Sequence, residues 1–186
     1  MSKLLAFGAS SSKNSKNKKL ASYVAKRMAP KEAIIVDLNE FEMPIYSEDR
    51  EEEAGIPEKA YEFKKLVNES IGIIISLAEH NGSYTSAFKN IYDWISVIEK
   101  TVWSNKPLIL LSTSDGQNAG NTVLQTALSR FSRQSTIEIP HFALPKFNEN
   151  FSDTDGITDK KLSEDLDKQI SIFSRQVENL LNSSNN

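Results

Sequence analysis

The chain contains no cysteine among its 186 residues. Disulfides, thiolate metal sites and cysteine nucleophiles are therefore excluded, and a reducing compartment fits. No apolar run approaches membrane-spanning length. The stretch Leu4-Leu5-Ala6-Phe7 ahead of Gly8 is too short for a secretory signal. A soluble cytoplasmic protein without membrane attachment is expected. Positive charge is not in excess: the net charge is −3, which gives no general affinity for nucleic acid. Basic residues are scattered, apart from Lys13, Lys16, Lys18 and Lys19. The two histidines, His80 and His141, have no carboxylates at metal-ligand spacing, so no metal site is expected. Three enzyme signatures are missing as well. Neither Gly-x-Gly-x-x-Gly nor the P-loop pattern Gly-x-x-x-x-Gly-Lys-Ser/Thr follows the first strand. No Gly-x-Ser-x-Gly elbow accompanies Ser112, Ser114 and Asp115, which removes the hydrolase reading.

What remains is an ordinary globular composition, with 39% apolar and 25% charged residues. That is enough for one domain with a real core. Short apolar runs at Leu4–Phe7, Ala33–Val36, Ile71–Leu77, Leu108–Leu111 and Thr136–Ile139 are strand candidates. The runs at Ile71 and Leu108 lack polar alternation, as in strands covered on both faces. Between them lie helical stripes. These are Leu20, Val24, Met28; Ala60, Phe63, Val67; Phe88, Ile91, Ile95, Ile98; and Leu124, Ala127, Leu128, Phe131. A long last stripe runs from Leu162 to Leu181. Five strands, each followed by a helix, predict an α/β fold. It is a flavodoxin-like three-layer sandwich with a five-stranded parallel sheet, order 2-1-3-4-5, and helices on both faces. Residues 1–182 form one such domain, and 183–186 are a frayed tail. Asn39–Pro57 and Phe147–Asp159 read as long polar links, and the acidic run Glu48–Glu53 as a solvated loop.

Ligands of such sheets bind beyond the carboxyl ends of the strands. Three loops there are polar and rich in small residues. The first, Ala9 to Asn17, opens a helix whose N-terminus suits a phosphate, through free N–H groups, hydroxyls and the helix dipole. Its bland alternative is a Ser/Asn turn that only caps the helix. The second, Glu79-His80-Asn81-Gly82-Ser83-Tyr84, carries Asn-Gly for a sharp turn. The third runs from Ser112 through Ser114, Asp115 and Gly116 to Asn121. Their convergence on one cleft argues for a nucleotide-like ligand.

The order strand, Glu-His-Asn-Gly-Ser, helix ending in Asp93-Trp94 resembles the NAD(P)H-dependent FMN reductase family. Its more usual form is Pro-Glu-Tyr-Asn-Gly-Ser-Tyr, then Leu-Lys-Asn-Ala-x-Asp-Trp. Here Ala78 replaces the proline and His80 the tyrosine. The first loop resembles the family's Gly-Ser-x-Arg-x-x-Ser-x-Asn-x-x-Leu-Ala at Gly8, Ser15, Asn17, Leu20 and Ala21, with one residue inserted. The usual arginine is absent, so Ser11, Ser12 or Lys13 takes its place, or neutral donors hold the phosphate alone. Met43-Pro44-Ile45-Tyr46 resembles the family's Leu-Pro-Leu-Tyr, a loop often near a partner subunit's flavin. The resemblance runs from Lys3 to about Pro145.

It implies an FMN-dependent oxidoreductase in which hydride passes from NAD(P)H to the flavin and then to a quinone, flavin, azo compound or metal ion. The implied cofactor residues are Ser10, Ser12, Ser15 and Asn17 at the phosphate, and Glu79, His80, Asn81, Gly82, Ser83, Ser114, Asp115 and Gly116 around the ring. The flavin carries the chemistry, so no catalytic side chain is required. His80 reads first as a side chain packed beside the flavin and second as a proton donor, while His141 reads as structural. Phe88, Tyr92, Trp94 and Trp103 read as core, or as part of a homodimer or homotetramer interface. A flavodoxin-type electron carrier and a non-enzymatic binding domain on the same fold are the alternatives.

Overall fold

In a computed structural model, which describes residues 3–29 and 32–184, the chain alternates strands and helices. Strand β1 (Lys3–Ala9) leads to α1 (Lys16–Met28) and β2 (Ala33–Val36). After a 3-10 turn at Leu38–Phe41 come α2 (Glu48–Ala54), α3 (Glu58–Glu69) and β3 (Ser70–Leu77). A small hairpin of β4 (Glu79–His80) and β5 (Ser83–Tyr84) precedes α4 (Ser86–Ile98) and β6 (Leu108–Thr113). Helix α5 (Asn121–Phe131), β7 (His141–Leu144), α6 (Phe147–Asn150), the hairpin β8 (Phe151–Ser152) with β9 (Gly156–Ile157), and α7 (Lys160–Ser184) complete it.

The main sheet has five strands in the order β2-β1-β3-β6-β7, all paired in parallel. Its two faces follow from the period of two along each strand. Leu5, Phe7, Ile73, Ile75 and Leu110 pack with α3, α4 and α5. Leu4, Ala6, Ile74, Ile109 and Leu111 pack with α1 and α7. Both cores are apolar, which explains why β3 and β6 read as unbroken apolar runs. The flavodoxin-like sandwich expected from the sequence is thus the observed fold, with its strand order. No helix among the described residues is long and apolar enough to cross a membrane.

Four expectations change. The fifth strand is not Thr136–Ile139 but His141–Leu144. Ladder bonding to β6 begins when Leu110 N–H donates to Pro140 O at 3.0 Å. Phe142 and Leu144 then point into the core, whereas Ile137 stays 42% exposed. His141 therefore starts the strand instead of following it. The acidic run Glu48–Glu53 is helical. Ser47 caps α2 by accepting from Arg50 N–H, and Glu48, Asp49 and Glu51 sit near the positive end of its dipole. None of its residues is buried, so it is solvated as expected. The link Phe147–Asp159 contains α6 and the β8–β9 hairpin. Finally, α7 continues through Ser183 and Ser184, where the Ser183 hydroxyl donates to Asn179 O at 2.9 Å. Asn185 and Asn186 lie outside the described residues.

Candidate functional site at the carboxyl edge of the sheet

The loops after β1, β3 and β6 meet at one edge, and hydrogen bonds tie them together. Thr85, the N-cap of α4, donates its hydroxyl to Ala9 O at 2.9 Å and accepts from Phe88 N–H. Lys16 pairs with Asp115 across the edge, joining the first loop to the third.

Asn17 lies at the centre. It is 5% exposed. Its Nδ2 donates to Thr113 O at 3.1 Å, and its Oδ1 accepts from Thr113 N at 3.1 Å and from Ser76 Oγ at 2.8 Å. One amide thus bonds α1 to both central strands. Its side chain is spent on the protein and is not free for the phosphate role expected of it.

The first loop keeps its donors open. Gly8 starts it because helix α1 presses on the strand end. A Cβ at Gly8 would sit 2.2 Å from Lys18 N, a distance no side chain survives. Ser10 is buried and accepts from Ser12 N–H. Ser15 caps α1 by accepting from Lys18 N–H at 3.0 Å. Among the described residues no protein acceptor meets the N–H groups of Ser11, Lys13, Asn14, Lys16 or Asn17. These groups stand at a helix N-terminus, where the dipole favours an anion. Of the four neighbouring lysines, Lys16 is paired with Asp115, Lys18 with Asp37 and Lys19 with Asp153. The Lys18 ammonium, helped by Asn39 N–H, holds the Asp37 carboxyl below its usual range. Lys13 has no such partner among the described residues and is exposed.

The second loop folds as the β4–β5 hairpin, with Glu79 opposite Tyr84 and His80 opposite Ser83. Asn81 (φ 52°) and Gly82 (φ 73°) form the connection. Positive φ at both central positions is the two-residue turn for which Asn-Gly is the preferred sequence. His80, Asn81, Gly82 and Ser83 are exposed at the rim. Glu79 differs: its Oε2 accepts from Val123 N–H at 2.9 Å and caps the first turn of α5. Its carboxylate is therefore engaged by a helix end. In the third loop the Ser114 hydroxyl accepts from Gly116 N–H. The carbonyls of Ser114 and Gly116 accept from Phe147 N–H and Lys146 N–H. These bonds pin the loop against the start of α6. Asp115 has its charge matched by Lys16.

Sequence reasoning missed a cleft of about 380 Å³ beside Ser11, bounded by Asn39, Met43, Ile45, Ser86 and Asn90. Asn90 Nδ2 donates to Met43 O and Pro44 O, and its Oδ1 accepts from Tyr46 N–H. Trp94 Nε1 donates to Pro44 O at 2.7 Å. Asn90 and Trp94 share one face of α4, and the Met43–Tyr46 segment rests on that face. The recurrence of Asn90 and Trp94 four residues apart was the available signal. The aromatics read as core or interface are core. Phe88 is 1%, Tyr92 7%, Trp94 1% and Trp103 4% exposed. The chain's own rings consume them: Phe88 stacks on Trp103, and Tyr92 packs on Phe131.

Known proteins resemble this chain in sequence and in fold. A 2-hydroxy-1,4-benzoquinone reductase of a Burkholderia species is 32% identical over 117 residues, 62% of each chain. A quinone reductase of Escherichia coli K12 is 27% identical over 79 residues, 42% of each chain. The chain thus spans about two fifths to three fifths of the length of these curated relatives. Among solved structures, FerB of Paracoccus denitrificans, a flavoenzyme NAD(P)H:(acceptor) oxidoreductase, superposes with a TM-score of 0.77 at 21% identity. That match covers 96% of this chain and 98% of FerB. The family model described as NADPH-dependent FMN reductase matches residues 2–149. With that match spanning β1 to α6, the chain belongs to the NADPH-dependent FMN reductase family.

Proposed function

We propose that this protein is an FMN-dependent oxidoreductase that takes electrons from NAD(P)H and passes them to a small acceptor, with quinones and azo compounds the first classes to test. The observation that carries the reading is the anion cradle at the start of α1, with its unpaired N–H groups and the free Lys13 ammonium. That donor set fits a terminal phosphate. Bound FMN supplies reversible hydride acceptance. The chain's residues hold and orient it. The cradle takes the phosphate, and Ser10, Ser12 and Ser15 have hydroxyl protons to offer it. Backbone groups of His80–Ser83 and Ser114–Gly116 border the ring edge. His80 is exposed at that rim as a packing surface, with proton donation its second role. Glu79 and Asn17 act indirectly, by fixing α5 and α1.

Two further parts complete the reading. A homodimer or homotetramer is supported by Ile45, 73% exposed next to the cleft, and not by the buried aromatics. A cytoplasmic location is supported by the cysteine-free composition.

The deciding experiment is reconstitution. The purified chain should quench FMN fluorescence and then oxidise NAD(P)H when a benzoquinone is added. Absence of FMN uptake refutes the reading. FMN uptake without NAD(P)H oxidation points instead to an electron carrier.

A further inference from the structure

The loops after β1 and β6, residues 9–17 and 112–121, contain three charged side chains: Lys13, Lys16 and Asp115. Lys16 and Asp115 pair across the edge, with side chains 35% and 53% exposed. Lys13 has no ion-pair partner among the described residues, so the two loops together carry one net positive charge. The backbone on each side of the pair is held by other bonds. Ser15 caps α1 by accepting from Lys18 N–H. Asn17 bonds to both Thr113 N–H and Thr113 O, which already ties α1 to the start of the third loop. Phe147 N–H and Lys146 N–H bond the carbonyls of Ser114 and Gly116, the residues on either side of Asp115. The two loops are thus joined and placed without the ion pair, and an exposed pair of this kind contributes little to stability. What the pair controls is charge. Lys16 N–H is one of the open donors at the start of α1. A lysine side chain is shorter than the screening length of about 10 Å at 0.1 M salt, so the carboxylate held at its tip is felt at those donors. Left bare, that carboxylate would cancel the Lys13 charge and repel an anion.

We propose that Asp115 acts against anion binding at this edge, that Lys16 masks it, and that the pair thereby sets the preference for phosphorylated flavin over riboflavin. The proposal rests on the reading above, in which the start of α1 takes the FMN phosphate. Neither side chain touches the phosphate: Lys16 stays on Asp115, and Lys13 supplies the uncompensated charge. Losing Lys16 alone leaves the two loops neutral. Losing the Asp115 charge alone leaves them with two positive charges, and losing both restores one. Other roles give a different order of affinities. A clamp between the loops makes both single variants weaken FMN and riboflavin alike. A direct bond from Lys16 to the phosphate makes the double variant as weak as the loss of Lys16.

Flavin fluorescence quenching by the full-length chain measures both ligands, and riboflavin, which lacks the phosphate, is the internal control. At low salt Lys16→Met should weaken FMN about fivefold, the effect of one unit charge within roughly 10 Å of a phosphate dianion in a near-aqueous medium. Asp115→Asn should tighten FMN by a similar factor. The double variant should return to the wild-type affinity, and Lys16→Arg should keep it. Riboflavin affinity should stay within about twofold throughout, and the FMN effects should shrink at high salt. A thermal melt of each variant without flavin confirms that it is folded. The proposal is overturned if Asp115→Asn weakens FMN, if FMN and riboflavin change together, if the double variant stays as weak as Lys16→Met, or if no folded variant differs from wild type. When wild-type protein binds FMN and one of these results is found, this proposal alone falls. When wild-type protein binds neither flavin, the cofactor reading falls and takes this proposal with it.

Discussion

Asn17→Ala separates two roles that the sequence alone left merged. If the side chain served the flavin phosphate, its loss would weaken FMN binding and spare the empty protein. The structure argues the reverse. The substitution strands Thr113 N–H and Thr113 O, where Thr113 is 2% exposed, and frees the Ser76 hydroxyl, where Ser76 is fully buried. The hydroxyl can rotate to another acceptor, but the backbone pair cannot. Each stranded buried group costs about 1–3 kcal/mol, so a total loss of about 3–5 kcal/mol is expected. In a chain of this length that corresponds to a melting point lower by roughly 10 °C. The assay is urea unfolding of FMN-free protein, followed by far-ultraviolet circular dichroism. The midpoint should fall with the slope unchanged, because the same surface is exposed on unfolding. FMN affinity, measured where the variant is still folded, should change little if, as proposed, the phosphate meets only the Asn17 backbone N–H. An apo-protein within about 1 kcal/mol of wild type, combined with a large loss of FMN affinity, would refute the reasoning.

Lys13→Ala should weaken FMN binding by about tenfold at low salt and less at high salt, since the lost contact is a charged one at an exposed site; fluorescence quenching at two ionic strengths checks this. Glu79→Ala removes the carboxylate that caps α5 and should cost about 1 kcal/mol in a thermal melt, with NAD(P)H turnover falling only through FMN occupancy. Burial pushes the Tyr84 hydroxyl pKa up to about 12, so the native state holds that proton more tightly than the unfolded chain does. Its contribution is complete below the unfolded value and is lost as pH rises through the native one. Tyr84→Phe should therefore flatten the alkaline decline in stability between about pH 10 and 12, read by denaturant midpoints at successive pH values. Ile45→Asp should leave the fold intact and shift any dimer towards monomer in light scattering; an unchanged mass would clear this loop of an interface role.

Much of the molecule is determined by local pattern. The apolar runs of β3 and β6, the stripes of α1, α3, α4, α5 and α7, and the Asn81-Gly82 turn are each dictated by neighbours a few residues apart. The parallel sheet and its order follow from alternating strands and helices, because right-handed crossovers leave few ways to cover both faces. For the same reason the loops that meet at the carboxyl edge were legible in advance. The fifth strand was not, because Thr136–Ile139 and His141–Leu144 both offer short apolar stretches, and pairing with β6 decides between them.

Tertiary structure alone decided where polar side chains spend their bonds. Asn17, Ser15 and Glu79 look alike in sequence, as polar residues in ligand loops. In the fold Asn17 is consumed by two strands and Glu79 by a helix end 44 residues away. Ser15 caps its own helix. Lys64 is a second case. It stands beside Phe63 on α3 as an ordinary helix lysine, yet it is 2% exposed, paired with Glu99 at 2.9 Å and donating to Val102 O. Hydrophobic periodicity reports which face of an element turns inward, since apolar burial is non-directional. Hydrogen bonds and ion pairs are directional and short, so their partners exist only once distant segments have been brought within about 3 Å.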